Sequence, residues 1–154
     1  MSIDNRLSEL GITLPQPAAP VAAYVPTVEA GGLLHISGQI SFAEDGSLIT
    51  GRLGENVDLD GGIAAARRCG VMLLAQIKAA LGDLDKIKQV VRLGGFINSD
   101  PGFLDGPKVM NGASDLMVTA FADKGRHSRT TVGVAVLPLD AAVEVEGSFE
   151  VGSA

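Results

Sequence analysis

The sequence predicts an α+β domain in which two helices cover one face of a mixed sheet, in the order β-β-α-β-α-β-β. Three observations carry that expectation. Two stretches, 60–81 and 105–121, repeat apolar residues at the three-four spacing of an amphipathic helix. The segments 22–40, 87–97 and 130–151 alternate apolar with other residues and are rich in Val and Ile. Twenty glycines and seven prolines cut the chain into short elements joined by turns. At 154 residues, 46% hydrophobic and 19% charged, the chain can bury one core without a disulfide or structural metal.

The order of elements follows from local signals. Ile3, Leu7 and Leu10 share a helical face that stops at Gly11, and Pro15, Pro17 and Pro20 force an extended arm after it. Residues 1–19 are therefore read as a short helix and a surface arm, and 20–151 as the domain proper. Strands over 22–29 and 33–39 flank Gly31-Gly32, the pattern of a β-hairpin. The connection 45–60, with Gly46, Gly51 and Gly54, is long and irregular, which is uncommon unless it is functional or packed on a neighbour. Asp60 is the expected cap of the first long helix, whose apolar face runs Ile63, Ala66, Gly70, Leu73, Leu74, Ile77 and Leu81 before Gly82 ends it. A strand over 87–97 follows. Asp105-Gly106-Pro107 then opens the second helix, with Val109, Ala113, Leu116, Met117, Ala120 and Phe121 as its stripe. Strands 130–137 and 142–151, joined across Pro138-Leu139-Asp140, read as a second hairpin. Pairing them gathers Val132, Val134, Val136, Val143 and Val145 on a largely apolar open face, which predicts self-association.

Composition excludes several functions. A net charge of −6 and the absence of a basic run do not suit nucleic acid, whose binding draws on Lys and Arg neutralising phosphates. No segment reaches the roughly 18 apolar residues of a membrane span. The first twenty residues lack the hydrophobic run of a secretory signal, so a cytoplasmic location is expected. One cysteine, Cys69, permits neither an internal disulfide nor a Cys-rich metal cluster, and it reads as inert helix packing. No metal-ligand or nucleotide-binding motif is present, so neither metal nor cofactor is expected. His35, inside a strand, reads as a core or interface histidine.

Three charged residues stand apart from this background. Arg129 enters a strand, where a guanidinium can hold a carboxylate by two parallel hydrogen bonds. Glu144 and Glu146 alternate with Val143 and Val145, so both carboxylates share one face of the final strand. In a tight hairpin, some six rungs of ~3.3 Å would put Arg129 roughly 20 Å from Glu144. The two could then meet over one small ligand only across a subunit boundary.

Ser37-Gly38-Gln39-Ile40, Arg129 with Val132-Gly133-Val134-Ala135, Leu137-Pro138 and Val143-Glu144-Val145-Glu146 together resemble the RidA/YjgF/UK114 superfamily, in order and in spacing. Tyr24 and Asn111 match two further family positions, and the resemblance spans roughly Pro20 to Val151. It implies a chorismate-mutase-like fold and a homotrimer with a cleft between each adjacent pair of subunits. It also implies cofactor-independent hydrolysis of 2-imino or enamine acids to 2-oxo acids and ammonia. In that scheme Arg129 binds the substrate carboxylate, Gly38 offers its backbone N–H, Glu144 positions water and Tyr24 closes the pocket. Asn111 and Thr131 complete the substrate-binding set. Thr131 and Gly133 depart from the family pattern, in which Cys and Glu are common at these places. Non-catalytic binding of small carboxylate metabolites is the alternative, and the endoribonuclease or translation-inhibitor activity ascribed to some members ranks below both.

Overall fold

A computed structural model describes residues 1–17 and 22–152; Pro20, expected in the arm, lies outside them. The chain runs α1 (Ile3–Glu9), β1 (Thr27–Ala30), β2 (Leu33–Ile40), α2 (Leu59–Leu81), β3 (Ile87–Asn98), α3 (Gly106–Phe121), β4 (Ser128–Val134) and β5 (Val143–Val151). The strands form one mixed sheet ordered β1-β2-β5-β3-β4, and α2 and α3 pack on one side of it. The expected α+β class and the β-β-α-β-α-β-β order both hold.

The first hairpin forms as its turn chemistry requires. Gly31 and Gly32 both take positive φ, 60° and 78°, which is the two-residue turn whose twist matches paired strands. Past Ile36 the ladder between β2 and β5 slips. Ile36 faces Gly147 and Gln39 faces Val145, so Ser37 and Gly38 together span the single residue Glu146. This bulge reverses parity along β2. Leu34 and Ile36 point at the helices before it, and Gln39 does so after it, where Gln76 Nε2 of α2 donates to Gln39 Oε1 at 3.3 Å.

The second expected hairpin does not form. β4 instead pairs with β3 in parallel, and β5 lies between β2 and β3, antiparallel to both. Helix crossovers explain this. α2 connects β2 to the parallel β3 and α3 connects β3 to the parallel β4, as parallel strands require. The first crossover leaves one strand position open between β2 and β3. A β4–β5 hairpin would leave that slot empty and two inner edges unpaired, so β5 fills it. The turn at Pro138–Asp140 is present, with Leu139 and Asp140 left-handed, but it redirects the chain toward the slot.

The central position of β5 also changes the faces. Val143, Val145 and Phe149 are fully buried under the helices, while Glu144, Glu146 and Ser148 lie on the open side. The open face is thus mixed, not largely apolar: Val28, Phe96 and Val132 share it with His35, Arg92, Thr130 and the two glutamates. His35 is exposed there, its Nδ1 3.0 Å from Ser148 Oγ, and is not a core residue.

α3 follows its expected stripe, whereas α2 is buried beyond its own, with every residue from Cys69 to Ile77 enclosed, Val71, Met72, Ala75 and Gln76 included. Asp58, not Asp60, caps α2, its carboxylate accepting from Gly61 N at 2.7 Å. Gly82 ends the helix left-handed. Leu10 is 45% exposed, so only Ile3 and Leu7 seat α1. The 45–60 connection packs on its own chain: Leu53 is fully buried and Ala142 N donates to Ile49 O. Cys69 is buried with its thiol on Val143 O, and burial followed by the Glu144 charge raises its pKa, so it is inert. No helix among the described residues is long and apolar enough to cross a membrane.

Candidate functional site

Arg129 stands opposite Leu93, which is fully buried beneath the helices, so its side chain leaves β4 on the helix-bearing side. There it runs along the start of α3. Arg129 Nη1 donates to Asn111 Oδ1 at 2.8 Å and to Ser114 Oγ at 3.0 Å, and Nη2 donates to Pro107 O at 3.0 Å. Both Nη1 protons and one Nη2 proton are thus committed. Nε–H and the second Nη2 N–H have no partner among the described residues, and no carboxylate there comes within ion-pair reach of the guanidinium. A cation held by neutral groups, with two donors unspent, is able to receive an anion. Thr131 shares this side of β4, and its shielded Oγ1 makes no hydrogen bond.

The second group lies on the other face. Glu144 is paired between Ile40 and Phe96, and its carboxylate is pressed against Gly38 with no room between them for a Cβ. A Cβ at the bulge would displace the Glu144 carboxylate, so glycine is what lets it rest there. Burial first, and then the like charge of Glu146, raise the Glu144 carboxyl above its ordinary range. A carboxylate tuned upward in this way is better able to take a proton near neutral pH. Tyr24, 59% exposed and ahead of β1, lines a cleft of about 150 Å³ with Gly38 and Gln39. Gln39 Nε2 donates to Ser37 O at 2.9 Å and fastens the bulge.

The structure therefore joins Arg129 with Asn111 and Thr131, and Glu144 with Gly38, but keeps the two groups apart; Tyr24 shares a cleft with Gly38 that Glu144 does not line. Through β3, Arg129 aligns with Leu93 and Gly147, three residues from Glu144. That is about 10 Å along the strands and about 10 Å across them, shorter than a hairpin would give, but on opposite faces. Sequence reasoning did not find Ser114, His127 or the Pro107 carbonyl. Ser114 lies three residues after Asn111 on the same helix face, and His127 lies two before Arg129. Those spacings are the signal. No cluster of three or more potential metal ligands occurs among the described residues.

Comparison with known proteins agrees with this architecture. Residues 4–148 match the family described as "YjgF/chorismate mutase-like, putative endoribonuclease". The Trypanosoma cruzi protein TCP17 is 47% identical over 148 residues, covering 96% of this chain and 92% of that protein. A crystal structure of a protein of unknown function from Agrobacterium tumefaciens is 44% identical, with TM-score 0.90 over 99% of this chain and 94% of that one. A "putative endoribonuclease" from Shewanella oneidensis is 36% identical, with TM-score 0.94 over 98% and 100% of the two chains. With a family match over nearly its whole length and these relatives at high coverage, the chain belongs to the RidA/YjgF/UK114 superfamily, the YjgF/chorismate mutase-like proteins.

Proposed function

We propose that this protein hydrolyses small 2-imino acids, or their enamine tautomers, to 2-oxo acids and ammonia in a cleft completed by a second subunit. The observation that carries the reading is Arg129, an uncompensated guanidinium held by three neutral acceptors with two donors left over. It suits a carboxylate received by two N–H donors, with Asn111 and the unbonded Thr131 hydroxyl as further polar contacts. The opposite half, Glu144 against Gly38, supplies a carboxylate whose raised pKa fits a general base. Water adds to the imine carbon and gives a proton to Glu144. Glu144 passes that proton to the nitrogen to give the carbinolamine, whose hydroxyl proton is then carried through the same carboxylate to the amino group as the C–N bond breaks, leaving the carbonyl and ammonia. Atoms balance without a cofactor. Because the halves open on opposite faces of one protomer, the ligand is shared between copies arranged in a homotrimeric ring.

Steady-state turnover of 2-iminobutanoate, with calorimetry on 2-oxobutanoate, tests the reading. Arg129→Lys is expected to weaken 2-oxobutanoate binding at least tenfold, since an ammonium cannot reproduce the fork. Glu144→Gln is expected to keep affinity and lose about 10²–10⁴-fold in turnover. Equal affinity in Arg129→Lys removes the clamp, and unchanged turnover in Glu144→Gln removes the base. Wild-type protein that binds 2-oxobutanoate without turning over the imine would be a metabolite-binding trimer.

A further inference from the structure

Resting on the reading of Arg129 as a carboxylate clamp, we propose that Ser114 and His127 are positioning residues that lock the rotation of the Arg129 guanidinium through a one-way chain of hydrogen bonds. The direction of that chain can be derived. His127 Nδ1 lies 2.6 Å from the Gly125 carbonyl, which only accepts, so Nδ1 carries a proton. His127 Nε2 lies 2.9 Å from Ser114 Oγ, and Ser114 Oγ accepts from Arg129 Nη1 at 3.0 Å. In the neutral ring Nε2 is then the bare acceptor, the Ser114 hydroxyl donates its proton to it, and the Ser114 lone pair faces Arg129. The order is Arg129 to Ser114 to His127 to the Gly125 carbonyl, each group donating to the next. Such a chain polarises every member in the same sense.

The far end is anchored in backbone. Gly125 is buried against the Met117 carbonyl and Val118, with no room for a Cβ, and the adjoining Arg126 carbonyl accepts from Gln89 Nε2. The near end matters because Asn111 and Pro107 bond the guanidinium from the first two turns of α3 alone. Ser114, one turn further on, gives Nη1 its second acceptor and ties it through His127 to the segment that leads into β4. With that proton committed, the guanidinium plane is fixed and the unspent Nε–H and Nη2 N–H are held in place before a ligand arrives. Preorganisation of this kind raises affinity by removing the cost of ordering.

Ser114→Ala is expected to weaken 2-oxobutanoate binding by about tenfold, in line with loss of a hydrogen bond to a charged group. His127→Leu should do the same, and His127→Gln should recover most of the loss, because its amide oxygen can stand where Nε2 accepts. In turnover the loss should fall on KM with kcat retained. The ligand-free signature is a ¹⁵N spectrum of wild-type protein in which neutral His127 carries its proton on Nδ1. Unchanged affinity in Ser114→Ala, or a His127 protonated at Nε2, overturns the relay. The two readings fail separately. Wild-type protein that ignores 2-oxobutanoate removes the clamp, whereas the histidine tautomer still decides the relay.

Discussion

The Glu144 carboxyl sits above its ordinary range because burial against Gly38 withholds water and Glu146 adds a like charge. Between the ordinary and the raised value, the folded protein binds more protons at this group than the unfolded chain does. Stability therefore falls as pH rises through that window, and above it the full penalty remains. Glu144→Gln, which removes the charge, is expected to be more stable than wild type at pH 7, with the gap closing on acidification into the carboxylate range. Urea unfolding at the two pH values measures it, and a gap that widens toward acid would contradict the assignment. A residue that costs stability at working pH is usually kept for chemistry. Arg129 and Glu144 were both legible in the sequence because strand parity exposes a charge among valines. Ser114 and His127 were not. A serine within a helix and a histidine before a strand are ordinary residues until α3 docks beside β4 and brings them within 2.9 Å.

The helix pair and the sheet differed in how much the sequence revealed. Both amphipathic stripes were readable, since an apolar face at helical spacing has one side to bury. How closely the helices approach was not. At Gly112 of α3 a Cβ would run into the Ile63 carbonyl of α2, so the backbones touch there. Gly112→Ala is expected to destabilise the fold by about 1–3 kcal/mol, the usual cost of overpacking. Thermal unfolding reads it, and wild-type stability would show that the helices can part freely. In the sheet, local rules found every strand but mispaired the last two. Alternation and a tight turn are short-range signals, whereas the slot between β2 and β3 is created by the α2 crossover and has no local signature.

Under the proposed function, one half of the site lies at the β4 edge and the other on the open face across from the helices. The mixed character of that face makes shared chemistry, more than apolar burial, the argument for assembly. Light scattering is expected to give about three times the 15.8 kDa chain mass. Mixing inactive Arg129→Ala and Glu144→Gln subunits should restore part of the turnover, because some clefts then pair an intact arginine with an intact glutamate. No recovery from verified mixed assemblies would rule out a shared site. The sheet order carries one more consequence, for how the protein is made. β5 is the last of the five described strands in sequence and the middle one in space. Until it leaves the ribosome, β2 and β3 have no common partner, and their facing edges stay open to other strands. The domain is then completed in one late step, and a chain halted before Val143 would be left for chaperones or proteases to hold or clear.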